Sequence, residues 1–208
     1  GFGATVAKLF SWQYTFMVFG GFGMLYAFVL IVFLQDNIKR EVQAAAGNGL
    51  QSVLKSVSAL LSSFSFWIII LYFAVPSFPG WAIKNWAPTL IADKLHIDMS
   101  VAGPLTTISI SLSSLVGVIV GGYFSDTWVQ KNNRGRIYIG AMGLSLMIPA
   151  LLLLGYSNSI VVVFAAASMF GFGFGMFDTN NMPILCQFVA SKYRATAYGL
   201  MNLVGVFS

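Results

Sequence analysis

Charge is what this 208-residue chain has least of. Lysine and arginine number 11 and aspartate and glutamate 6, together 8% of the residues, against about 25% in a soluble domain. Too few solvated groups remain to cover a globular surface. That excludes a soluble enzyme, a nucleic-acid binder and a disordered tail. Thiols and imidazoles are scarcer still. One cysteine, Cys186, rules out a disulfide framework, and one histidine, His96, leaves no cluster of soft metal ligands. No cofactor or metal is expected. Period-2 alternation in ten-residue segments, the mark of a membrane barrel, is absent too. What fills the chain instead is apolar: 58% hydrophobic and 15% aromatic residues. It reads as an integral membrane protein built of helices.

Crossing about 30 Å of hydrocarbon as a helix takes roughly 20 apolar residues. Charge-free windows of that length run over 9–35, 56–83, 99–125 and 137–177. The last is too long for one crossing and carries turn chemistry at Gly155-Tyr156-Ser157-Asn158-Ser159. Five spans follow, near Trp12–Leu34, Leu60–Leu90, Val101–Tyr123, Ile137–Leu154 and Ile160–Val189. A sixth begins near Thr196, and Gly1–Phe10 reads as the tail of an earlier one. The fold class is therefore all-α, a polytopic transmembrane bundle of about five full spans plus two partial ones. Residue 1 is a glycine and the last residues stop within an apolar stretch, so the chain reads as an internal piece of a longer one.

Basic residues orient the bundle. One set of alternate connections holds Lys39, Arg40, Lys55, Lys131, Arg134, Arg136, Lys192 and Arg194; the other holds Lys8, Lys84 and Lys94. Eight against three puts the first set in the cytoplasm, so the +5 net charge reports topology rather than a polyanionic ligand. The segment Asp36–Lys55, rich in Ala, Gly, Gln and Asn, is the longest polar stretch. It reads as a linker between two bundles, residues 1–35 and 56–208, with a short surface helix at Asn37–Ala46.

Four segments carry further information. Gly121-Gly122-Tyr123-Phe124-Ser125-Asp126 precedes Lys131, Arg134 and Arg136. Ser11-Trp12-Gln13-Tyr14-Thr15-Phe16 precedes Gly20 and Gly23. Trp86-Ala87-Pro88-Thr89 is followed by Ala102-Gly103. Tyr193-Arg194-Ala195-Thr196-Ala197-Tyr198-Gly199 leads into Asn202 and Gly205. In this order and spacing the chain resembles the major facilitator superfamily of secondary transporters. Within it, the chain looks like the anion:cation symporter branch, which includes hexuronate, sugar-acid and sialic acid carriers. Two features depart from the pattern: Gln13 stands where the family usually has arginine, and the loop after Asp126 is longer than the family's tight basic turn. The resemblance implies a stretch from the end of the fifth helix to the start of the eleventh in a twelve-helix protein.

Asp178 is the one acid well inside an apolar span. Near the bilayer centre it would cost about 2.5–3.5 kcal/mol on insertion scales, so it should face protein or water. At helical spacing Gly171, Gly175, Asp178 and Met182 share a stripe flanked by Asn181, while Asn180 points nearly opposite. Asp178 with Asn181 then reads either as a titrating or substrate-contacting carboxylate with its hydrogen-bond partner, or as an interhelical hydrogen bond. Pro76-Ser77-Phe78-Pro79-Gly80 removes two backbone donors and is expected to interrupt its helix. Just beyond it sit Lys84 and Asn85. Lys84 either attracts a substrate carboxylate or, as such lysines more often do, snorkels to the outer interface beside Trp81 and Trp86. Tyr72 could donate its hydroxyl to a sugar. Thr106, Thr107, Ser113, Ser114, Gly117 and Gly121 share a face that reads as helix-packing glue. The run Phe170–Phe177 imitates a phosphate loop but lies inside an apolar helix. Asn202 corresponds to an asparagine that faces the cavity in the resembling family.

The combined reading is a secondary active transporter, not an enzyme. It would move a small organic anion, such as a sugar acid, across the inner membrane with a proton (or sodium) as coupling ion. Gly122, Asp126, Arg134 and Arg136 would form a breakable cytoplasmic gate. The lipid bilayer is the expected environment, and the protein is expected to act as a monomer without nucleic acid. The alternative is an organic phosphate/inorganic phosphate exchanger of the same superfamily. An intramembrane protease would need a serine–histidine pair or more metal ligands inside the bundle than the chain has.

Overall fold

The computed structural model describes residues 12–33 and 49–207. The expected surface helix at Asn37–Ala46 lies outside them. The described residues are helical, with no strand among them: α1 (Trp12–Phe33), α2 (Gly49–Leu61), α3 (Phe64–Leu95), α4 (Met99–Val129), α5 (Gly135–Tyr156), α6 (Ile160–Phe188), a 3-10 turn at Ser191–Tyr193, and α7 (Arg194–Phe207). Within them, α1, α3, α4, α5 and α6 are each long and apolar enough to cross a membrane. The chain divides into two compact units, Gly1–Lys55 and Ser56–Ser208.

In the first unit α1 is apolar on every side, and Phe22, Leu25 and Phe28 are exposed along it. Such a helix is stable where hydrocarbon replaces water around it.

In the second unit the connections after α3, α4 and α5 are short, so consecutive helices run antiparallel. Asp98 caps α4, accepting the Ser100 backbone N–H at 2.7 Å. His96 ends α3 in the left-handed region (φ 53°) and returns its backbone N–H to the Ala92 carbonyl. The centre is α6, packed against α4 on one side and α5 on another. Glycine makes both contacts possible. A side chain at Gly175 would strike the Ser114 carbonyl of α4, and one at Gly121 would meet the Met176 Cα at 2.8 Å. Across the other face, a Cβ on Gly173 would lie 2.6 Å from the Gly143 carbonyl of α5. Lipid tails give helices no hydrophobic drive to associate, so close van der Waals approach at small residues must supply it. The packing reading of the α4 glycines is thus correct. The hydroxyls behave differently from expectation: Thr107 and Ser113 donate to carbonyls of their own helix, Gly103 and Ser109, rather than across to a neighbour.

One expectation fails outright. Pro76 and Pro79 do not interrupt α3, which runs continuously past them and past Pro88. Each proline removes one ladder bond, but the surrounding bonds persist, and packing of Ile69, Ile70, Ala74 and Ala87 in the core holds the segment straight through. The Ser77 hydroxyl donates to the Phe73 carbonyl at 2.7 Å in the same stretch. The real break lies earlier, at Ser62-Ser63, where α2 gives way to α3. The span expected from Leu60 therefore starts at Phe64.

The two ends of this unit are tied differently. At one end Lys94 of α3 donates to the Leu154 and Gly155 carbonyls at 3.0 and 2.8 Å, satisfying the carboxyl end of α5. At the other, Arg194 donates to the Cys186 carbonyl at 2.9 Å and the Val189 carbonyl at 3.3 Å, doing the same for α6.

Candidate functional site

Gly80 is the seventeenth of the 32 residues of α3, and Phe174 the fifteenth of the 29 of α6. The two midpoints touch: a Cβ on Gly80 would lie 2.7 Å from the Phe174 ring. With no side chain at Gly80, the ring lies against the α3 backbone. Lys84, one turn further along α3, places its ammonium over that ring, 4.1 Å from the centroid. The direction follows from helix geometry, because Cα–Cβ bonds tilt toward the amino terminus and carry the stem back toward Gly80. The ammonium thus turns back toward the middle of α3, on the negative face of an aromatic ring. The ring itself is supported from behind by buried Phe170, stacked with centroids 6.2 Å apart, and by Phe177 edge-on at 6.2 Å.

Asp178 lies one turn after Phe174, on the same side of α6. It is exposed on the second unit, and Asn181 donates its Nδ2 to the Asp178 Oδ1 at 3.3 Å. The expected pairing of these two is present. The expected stripe is not a single surface: Gly171 and Gly175 are buried against α4, whereas Asp178 is open. Asn180 is fully buried, as its opposite orientation requires, and donates to the Met176 carbonyl at 2.9 Å.

The other candidates are not drawn into this group. Asn85 and Asn202 each donate to a carbonyl of their own helix, Trp81 at 2.9 Å and Tyr198 at 3.1 Å. Tyr72 points its hydroxyl at Gly140 of α5 and packs its ring on Phe177, centroids 5.3 Å apart. It borders a cleft of about 250 Å³ between α3, α5 and α6, lined also by Ser65, Ile69, Ile137 and Ile184. That cleft is apolar and contains neither Lys84 nor Asp178, so the largest charges lie outside it.

At the end of the unit that carries Arg194, Arg136 donates to Asp126 at 2.6 Å. Arg134 takes a different part: its backbone N–H bonds the Asn132 side chain at 2.9 Å at the start of α5. Of the glycine pair before Asp126, Gly121 is the one in close helix contact. Gly122 has only the Thr179 hydroxyl nearby, 3.7 Å from where a Cβ would lie.

Phe174 and Gly80 are the residues that sequence reasoning missed. The signal available was a glycine one turn before a lysine inside an apolar helix. Nothing along the chain pairs that turn with a phenylalanine 94 positions later.

Long apolar helices packed through glycine suit a polytopic membrane bundle, and comparison with known families agrees. The profile of the Major Facilitator Superfamily matches residues 1–208. The chain belongs to the Major Facilitator Superfamily. A rat (Rattus norvegicus) member, the voltage-gated purine nucleotide uniporter SLC17A9, is similar at 22% identity over 219 residues, covering 100% of this chain and 47% of that protein. The chain thus spans about half the length of the curated relative it matches. No solved structure matches it. Membership makes this a multi-pass membrane protein.

Proposed function

We propose that the chain is the middle of a secondary transporter that carries a small organic anion, a sugar acid such as a hexuronate, across the inner membrane by proton symport. The observation that supports it most is the Lys84 ammonium over Phe174. A bare cation near the bilayer centre costs about 2.5–3.5 kcal/mol, a cost met only where protein or water covers it. Lys84 and Asp178 are both open on the second unit, which suits a water-filled pathway. Three ammonium donors give a carboxylate its counter-charge, and Asp178, one turn past Phe174 on α6, is the candidate proton carrier. Tyr72, Asn85, Asn181 and Asn202 are the candidate neutral contacts. On this reading residues 1–35 end one helical bundle, residues 56–208 belong to a second, and the carrier alternates access. Asp126 with Arg136, beside Gly122 and Arg134, latches the cytoplasmic side in one state. The carrier works as a monomer, with a proton (or sodium) as the coupling ion.

A second reading is favoured by the relative named as a nucleotide uniporter: the anion carries phosphate, and either membrane potential or exchange for inorganic phosphate drives it. Proteoliposomes holding the full-length carrier separate the two. An inward proton gradient at clamped potential should concentrate labelled glucuronate. Accumulation of ATP on potential alone, or sugar-phosphate exchange indifferent to both gradients, would overturn the symport reading.

A further inference from the structure

We infer that Phe174 is a positioning residue for the anion site, the seat that keeps the Lys84 ammonium at mid-span, and that Gly80 is bare so that this seat can exist. The inference rests on the reading of Lys84 as the anion's counter-charge. A lysine stem is long and flexible, and its ordinary course in a membrane helix is outward to the interface. Here the ring centroid lies 4.1 Å from Nζ. The bare Gly80 leaves the ring room against α3, where a Cβ would come within 2.7 Å of it, and Phe170 and Phe177 pack on it within α6. Both of those supports are fully buried. A cation–π contact occupies the ring face but does not require the N–H donors of the ammonium, so the side turned from the ring stays available to an anion. Phe174 thereby fixes the depth of the cation without competing for the substrate. Phe174 touches no substrate itself; it acts through Lys84. Leucine at 174 would keep apolar volume and lose the quadrupole, and tryptophan would keep a ring face.

The test uses the full-length carrier with its lysines reductively methylated from 13C-formaldehyde, which preserves their charge. The Lys84 methyl resonance, assigned by its loss in Lys84→Arg, should lie upfield of exposed lysines from the ring current. The shift should vanish in Phe174→Leu and survive in Phe174→Trp. In unmethylated carrier, Phe174→Leu should raise the KM for glucuronate about two- to fivefold, the range of an exposed cation–π contact. The maximum rate should be little changed, and Phe174→Trp should restore the KM. No upfield shift, or one that persists in Phe174→Leu, would overturn the seat; so would an unchanged KM. If the wild type takes up ATP and not glucuronate, the sugar-acid reading fails while the seat is judged by the resonance and by the KM for ATP.

Discussion

Asp178 is where a single proton would matter most. Its carboxylate is open on the second unit and bonded by Asn181 at 3.3 Å, so an amide in its place keeps the shape and that contact but can hold no proton charge. An isosteric amide at this open position removes no packing and leaves no buried charge unpaired. Asp178→Asn should therefore be made in normal amounts and be as stable as the wild type. It should lose proton-driven accumulation of glucuronate while keeping counterflow exchange, measured in the same vesicles. Proton-driven accumulation at the wild-type level would remove Asp178 from coupling. The exposed Asp126–Arg136 pair calls for a different expectation, because an ion pair with one partner 68% exposed is strongly screened. Any part it plays is in switching between states rather than in holding the fold.

At the scale of elements, the contact between α4 and α6 rests on a few missing side chains. Alanine at Gly121 would press on the Met176 Cα at 2.8 Å, and backbone cannot yield without parting the helices. Overpacking of that kind costs about 1–3 kcal/mol. Gly122→Ala meets nothing closer than 3.7 Å and should be neutral within about 0.5 kcal/mol. Denaturation of the two variants in detergent should show that contrast, and equal stability would contradict the packing described. Spans were legible in the sequence because hydrocarbon thickness sets their length: α5 was expected at Ile137–Leu154 and found at Gly135–Tyr156, and α6 differs at its end by one residue. The α3 prolines were misread because local rules count lost hydrogen bonds and cannot see the core that keeps the ladder continuous. The Asp178–Asn181 pair was legible from i, i+3 spacing. The Lys84 seat was not, since its depth depends on a ring supplied by another helix.

For the whole molecule, membership of the Major Facilitator Superfamily gives the charges a common purpose. In a carrier that alternates access, a midplane cation must meet water from one side and then from the other; in a merely structural role it would meet neither. On the reading proposed above Lys84 belongs to the first case, one turn past the contact of Gly80 with Phe174. The most direct measurement replaces Cys186 and every other cysteine of the full-length carrier with serine, introduces Lys84→Cys, and follows its reaction with a charged, membrane-impermeant thiol reagent added to either face of sealed vesicles. Reaction is expected from both faces. Reaction only with a lipid-soluble reagent, and none with the charged one from either face, would contradict it.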